Sequence, residues 1–190
     1  MPKPPITAIV LAGGKSTRMK GKNKGLQTLK GKKLIEHVIT KISPQVEHIL
    51  INSNDNIEQY KQLNYPIISD ILSGFLGPLA GIHAGLTHST TEWNLIVSCD
   101  TPFLPDDLVL RLWQQKGEAQ SAYVFDGEKA HPTILLLNRS IQKQIADYLQ
   151  QGDRKLLILL NKIKSIQVDF SDKKQSFINI NTFDELAQWD

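Results

Sequence analysis

The residues from Ile6 to Gly25, ITAIVLAGGKSTRMKGKNKG, constrain the fold of this chain more than any other stretch. Thr7 to Leu11 is a short, β-branched and almost wholly apolar run, the pattern of a strand buried on both faces of a parallel sheet. It empties into Gly13 and Gly14. Glycine lets a backbone approach an anion with its N–H groups turned inward, and these glycines are followed by Lys15, Arg18, Lys20, Lys22 and Lys24. No acidic residue precedes Glu36. The first 35 residues carry nine Lys or Arg and no Asp or Glu, a net of +9 against −6 for the remaining 155. A phosphate-binding loop is the expectation.

Two familiar phosphate loops are excluded by spacing. Gly14-Lys15-Ser16-Thr17 has the tail of a P-loop, but that motif needs a glycine five positions before its Gly-Lys pair. Ile9 stands there, inside the strand. A dinucleotide fingerprint fails because Gly13, Gly14 and Gly21 lack the spacing that closes a tight turn onto a helix.

At 190 residues the chain reads as one domain, 1–190, large enough to bury its own core. A single cysteine gives no disulfide framework and suits a reducing compartment; Cys99 lies in an apolar strand and reads as packing. The proline-rich start, Met1-Pro2-Lys3-Pro4-Pro5, does not make a signal peptide, and no apolar run is long enough to cross a bilayer. The expected location is the cytoplasm. A pI near 8.9 raises nucleic acid as a partner, yet the excess positive charge sits on one glycine-rich segment without interleaved aromatic residues. A small polyanion fits it better.

Along the chain, Leu34, Ile35, Val38, Ile39 and Ile42 mark one face of a helix ending near Ser43-Pro44. Strands follow at Glu47–Ile51 and Pro66–Ser69, with a short polar helix over Ile57–Leu63 between them. Pro78 opens a helix that turns Leu79, Ile82 and Leu86 inward. Asn94–Cys99 is a fourth strand, and Pro105-Asp106-Asp107 starts a helix with two acids at its positive end. Strand-helix alternation of this kind argues for a parallel sheet. After Gly117 the pattern changes to a hairpin, Ser121–Phe125 and Thr133–Leu137 about the turn Asp126–Lys129. Helices over Ile141–Leu149 and Arg154–Ile163 are separated by Gly152-Asp153 as stop and cap. Strands at Ile166–Asp169 and Phe177–Ile180 precede a final helix, Asp184–Trp189, capped by Thr182. The expected architecture is a three-layer α/β domain, its sheet mostly parallel, with an antiparallel element in the C-terminal half.

Ligands of open α/β sheets bind beyond the carboxyl ends of the strands. Those ends read Gly13-Gly14, Asn52, Asp70 and Asp100: backbone donors, an amide and two carboxylates. Asn and Asp also cap turns on their own account. Asp100, after the buried run Leu95–Cys99, stands where a Mg²⁺ ion carrying nucleotide phosphates would be held. Lysines of this loop, Lys24 among them, can stabilise charge on phosphate oxygens as point charges, and Arg18 can do so bidentately. The five histidines are scattered, with no metal spacing and no triad. A phosphate acceptor needs no general base, so positioning and charge stabilisation would suffice.

Leu11-Ala12-Gly13-Gly14, Arg18-Met19 and Lys24-Gly25 closely resemble the L-A-G-G-x-x-x-R-M signature, with its following lysine, of nucleotidyltransferases that activate cofactors and sugars. Within that superfamily the chain looks most like the molybdenum cofactor guanylyltransferases, the MobA family, from about residue 6 to its C-terminus. The resemblance implies a Rossmann-like nucleotidyltransferase fold and transfer of GMP from GTP to a molybdopterin-type cofactor. It implies Asp100 as the Mg²⁺ ligand, and nucleotide contacts from Leu11, Ala12, Gly13, Lys24, Asn52 and Asp70; the chemistry of the loop itself adds Gly14, Lys15 and Arg18 at the phosphates, and Lys24 and Arg18 against the charge on a leaving pyrophosphate. Gly77-Pro78-Leu79-Ala80-Gly81 resembles the family's loop near the purine. His131-Pro132-Thr133 and Asn179-Ile180-Asn181-Thr182 resemble its acceptor-side segments, which puts Asn179 and Asn181 against the pterin. Lys20 and Asn23 depart from the family's usual Gly and Asp, and Phe183 from its usual Pro. Cofactor-insertion and biosynthesis proteins are the implied transient partners. Residues alone leave CTP open as the donor, and equally a nucleotide-binding module without catalysis.

Overall fold

The computed structural model describes residues 2–13, 22–74 and 77–189. Ile6–Leu11 forms strand β1, buried at all six positions. A 3-10 turn follows at Lys24–Leu26. The two-residue strands β2 (Thr28–Leu29) and β3 (Lys32–Lys33) then make a small hairpin that no periodicity announces. Helix α1 (Leu34–Ile42), strand β4 (His48–Asn52), helix α2 (Ile57–Lys61) and strand β5 (Ile67–Ile68) come next. Helix α3 (Pro78–His88) crosses to strand β6 (Trp93–Ser98), which leads to helix α4 (Leu108–Gln115). The C-terminal half adds the hairpin β7 (Ser121–Phe125) and β8 (Ala130–Asn138), helices α5 (Gln142–Gln150) and α6 (Leu156–Lys162), strand β9 (Ile166–Asp169) and helix α7 (Phe183–Trp189).

Seven strands make one sheet in the order β5-β4-β1-β6-β8-β7-β9. Every pairing is parallel except the two made by β8. The two-residue period of a strand divides the apolar side chains of β1 between two cores. Ile6, Ala8 and Val10 pack with Ile35, Val38 and Ile42 of α1 and with Leu108 and Leu112 of α4. Ile9 and Leu11 pack with Leu79, Ile82 and Leu86 of α3 and with residues of α5 and α6. The three layers follow from that alternation. Each fully buried isoleucine contributes about 1.5–3 kcal/mol.

Helix α3 lies close against the sheet because glycines face it. A Cβ on Gly85 would meet Ile9 Cδ1 at 2.5 Å, and one on Gly81 would meet Asn52 Oδ1 at 2.2 Å. A third, smaller cluster of Leu29, Leu34 and Ile180, with Phe103, Leu186 and Trp189 against it, fastens α7 over the carboxyl end of the sheet. Among the described residues no helix is long and apolar enough to cross a membrane.

Three local expectations are corrected. Phe177–Ile180 is not a strand: Ser171–Phe177 forms 3-10 turns, and the next residues are tied to the strand-end loop by the Ile180 N–H, which donates to Asp100 O at 2.9 Å. Asp153 does not cap α6, whose cap position is Lys155; its carboxylate lies 3.8 Å from Lys162 Nζ instead. Helix α4 opens at Leu108, and Asp107 makes no side-chain cap bond. Asp106 and Asp107 are drawn away by Lys41 and Lys173, at 3.0 and 2.7 Å.

Candidate active site

In the sheet the carboxyl ends of β5, β4, β1 and β6 stand side by side, so Asp70, Asn52, Gly13 and Asp100 form a row. The chain leaves β1 for β4 on one side and returns through α3 to β6 on the other. This is the topological switch at which open α/β sheets take their ligands.

One half of the row is an amide-carboxylate cluster. Asn52, 3% exposed, donates from Nδ2 to Asp70 Oδ1 at 2.9 Å. Asn54 donates to Asp70 Oδ2 at 2.9 Å and accepts from the Asp70 N–H at 2.8 Å. Two amides thus hold one carboxylate in a fixed plane. The missing Cβ of Gly81 leaves room for Asn52, and a Cβ on Gly13 would lie 3.8 Å from Asn52 Oδ1 and 3.7 Å from Asn54 Nδ2. Gly77 adopts φ +67° and ψ −157° at the start of α3, a conformation that L side chains avoid. It turns the chain from the Asp70 loop into the helix.

The other half gathers around Asp100, which is 6% exposed. Ser98 Oγ donates to its Oδ1 at 2.5 Å, and Lys24 Nζ lies 3.3 Å from its Oδ2. Lys24 also donates to Asn181 Oδ1 at 2.7 Å. Asn179 accepts from Thr101 Oγ1 at 3.1 Å. Ile180 between them is fully buried, so the two asparagines face the site without belonging to a strand. Glu185 Oε2 accepts from the Asn181 and Thr182 N–H groups at 2.6 and 3.1 Å, and Thr182 Oγ1 accepts from the Glu185 N–H at 3.1 Å. This reciprocal cap anchors the segment at the expected Thr182.

Leu11 and Ala12 are buried, and their backbones build the floor. Leu11 O accepts from the Cys99 N–H at 3.1 Å, and the Ala12 N–H donates to Asn52 O at 2.8 Å. Gly14, Lys15 and Arg18 lie outside the described residues. Burial, and then Asp100 beside it, pushes the Cys99 thiol far above its ordinary range. This group is packing, as its sequence context suggests.

His131 stands behind the acceptor-side segment. Its Nε2 is 2.6 Å from Asp126 Oδ2, and its ring packs on Phe177 with centroids 5.5 Å apart. Burial would raise the Asp126 carboxyl, but the bonds from His131 and from the Lys129 and Glu128 N–H groups outweigh it and hold the group down to about 2.

The sequence pattern does not mark Asn54, Tyr60, Ser98 and Thr101 as parts of this site, and it marks Asn23 only as a departure from the family form. Asn54 and Ser98 carried a faint signal, each standing two residues from a chosen position and so on the same side of an extended chain. Tyr60 carried none.

Strand ends that collect a buried carboxylate and an amide-braced carboxylate at the switch point of a mostly parallel sheet, with a lysine from a neighbouring turn, suit a nucleotidyltransferase, and the similarity to known proteins shows that class. Residues 8–165 match the family model described as the MobA-like NTP transferase domain. A molybdenum cofactor guanylyltransferase of Yersinia pseudotuberculosis is 49% identical over 188 residues, covering 99% of this chain and 96% of its own. That of Yersinia pestis is 48% identical over the same span. Among solved structures, the molybdopterin-guanine dinucleotide biosynthesis protein A of Archaeoglobus fulgidus superposes with a TM-score of 0.79 at 27% identity, over 96% of this chain and 95% of its own. The chain belongs to the molybdenum cofactor guanylyltransferases of the MobA-like family.

Proposed function

We propose that this protein transfers GMP from GTP to the terminal phosphate of molybdenum-molybdopterin, releasing pyrophosphate and forming the guanine dinucleotide form of the cofactor. The observation that carries the mechanism is the junction at Lys24, whose ammonium touches both Asp100 of the nucleotide side and Asn181 of the acceptor side. Such a cation lies between the two reactants.

In this reading the Asn52, Asn54 and Asp70 cluster holds the nucleoside, while Gly13, Gly14, Lys15 and Arg18 hold the phosphates. Asn179 and Asn181 hold the pterin. An oxygen of the acceptor phosphate attacks the α-phosphorus, and the bond from that phosphorus to the bridging oxygen of the β-phosphate breaks. The acceptor is already an anion, so no side chain has to remove a proton. Lys24 meets the charge growing on the departing pyrophosphate, where a preplaced cation in a partly dry site acts most strongly.

Among the described residues no group of three or more His, Cys, Asp or Glu could hold a metal. Asp100 offers one carboxylate, with one oxygen fixed by Ser98 and the other beside Lys24. That donor set fits Mg²⁺ arriving with a triphosphate, since the ion keeps waters and phosphate oxygens and takes one or two carboxylates. Held by Asp100, it would neutralise charge on the phosphates. The reading locates the reaction in the cytoplasm, with transient contact to the proteins that insert the finished cofactor.

Melting temperatures measured with GTP, CTP, ATP and UTP, each with and without Mg²⁺, test the donor. A ligand that binds only the folded state at one hundred times its Kd adds about 2.7 kcal/mol. For a domain of this size that is a rise of about 5–10 °C. The rise is expected to be largest with GTP and to grow with Mg²⁺. A shift led by CTP would replace guanylyl by cytidylyl transfer, and no shift with any nucleotide would leave a binding module without this donor site.

A further inference from the structure

The Lys24 loop sits on a pedestal that nothing in the reaction requires by itself. Asn23, immediately before Lys24, accepts through Oδ1 from the Gly25 N–H at 3.0 Å and from the Tyr60 hydroxyl at 2.6 Å. Its Nδ2 donates to Ala12 O at 3.4 Å, and its backbone oxygen accepts from Gln27 Nε2 at 2.8 Å. One side chain therefore ties the 3-10 turn of Lys24–Leu26 to the end of β1 and to α2.

Tyr60 is fully buried. Burial drives its phenol far above the ordinary range, with Cys99 adding to the shift, so the hydroxyl stays a donor. The turn rests directly on this hydroxyl. A Cβ on Gly25 would come within 2.8 Å of Tyr60 Oη, 3.1 Å of Cys99 Sγ and 3.2 Å of Cys99 Cβ. Cys99 is the residue before Asp100, so the contact also sets the turn against the strand end that carries the carboxylate. A phenol and a thiol beneath the turn fix its height, while Asn23 fixes its rotation.

We infer that Asn23 and Tyr60 are positioning residues for Lys24: together they aim its ammonium at the junction between Asp100 and Asn181. The inference rests on the role proposed above for Lys24 and extends it to a residue of α2 that touches neither substrate. A displacement of about 1 Å at a charge-stabilising group can cost about a hundredfold in rate, whereas a hydroxyl lost from a packed core lowers stability without choosing a kinetic step.

The test is a double-mutant cycle on the full chain, following pyrophosphate release with GTP, Mg²⁺ and the molybdopterin acceptor. Y60F keeps the ring and removes one oxygen. It is expected to lower kcat about tenfold, change the KM for GTP less than about threefold and lower Tm by no more than about 4 °C. N23A is expected to lose about thirtyfold in kcat, and N23D, whose carboxylate still accepts from Gly25 and Tyr60, to recover most of it. In a K24A background Y60F should have no further effect on kcat, because both changes act through one group. A further tenfold loss there, or an unchanged kcat for Y60F alone, would overturn the inference while leaving Lys24 in its role. Full activity of K24A would instead remove the role of Lys24 itself, and the positioning role of Asn23 and Tyr60 with it.

Discussion

Replacing Asp100 with alanine is expected to lower turnover about a thousandfold while moving the melting temperature by no more than about 4 °C. The two effects separate because of what each neighbour keeps. Lys24 retains Asn181 at 2.7 Å, and its side chain is 25% exposed, so water can replace the carboxylate. Ser98 loses one acceptor. Removing a buried carboxylate also removes its desolvation cost, which cancels much of the Coulomb attraction at 3.3 Å. In turnover nothing cancels, because among the described residues no group of three or more His, Cys, Asp or Glu is gathered there to take over the phosphate-bound cation. Steady-state kinetics and a thermal melt on the same preparation check both halves. A variant that keeps full activity would remove Asp100 from the mechanism.

Lys24→Ala is expected to cost about a hundredfold to a thousandfold in kcat and to lower stability by about 2–3 kcal/mol, more than the limit of about 4 °C for D100A represents. The asymmetry follows from burial. Asp100 is 6% exposed, and without Lys24 its Oδ2 loses the cation that offsets a buried charge. Ser98 alone then remains on Oδ1. Adding Mg²⁺ and GTP is expected to restore part of the lost stability, since the ion replaces one positive charge with another. Differential melts of K24A and D100A with and without Mg²⁺ and GTP check this, and equal melting temperatures for the two variants would contradict it.

Much of this was legible because local pattern and tertiary environment agree. Thr7 to Leu11 reads as a strand buried on both faces, and β1 lies at the middle of the sheet between β4 and β6. The apolar stripe from Leu34 to Ile42 gives α1 its bounds. Gly13, Asn52, Asp70 and Asp100 could be picked from strand ends alone, since the topology of a parallel sheet brings those ends together whatever lies between them.

What was not legible depends on contacts distant in sequence. Phe177 to Ile180 has the alternation of a strand, but its backbone bonds to the loop after β6 rather than to a neighbouring strand. Tyr60 sits in a five-residue helix whose pattern says nothing of the Asn23 carboxamide 37 residues earlier in the chain. Asn23 departs from the family form, yet its oxygen and nitrogen bridge the Lys24 turn, Tyr60 and Ala12. A side chain that joins three elements leaves no periodic trace. The phosphate-loop residues Gly14, Lys15 and Arg18 stand on sequence and resemblance.

The most direct test of guanylyl transfer is to supply GTP labelled at the α-phosphorus, with Mg²⁺ and the molybdopterin acceptor, and to follow the label and the pyrophosphate together. The account predicts one pyrophosphate released for each labelled phosphorus found in a pterin-guanine dinucleotide, with both lost in D100A. Label remaining in GTP or GMP, or passing to the acceptor equally well from CTP, would contradict it.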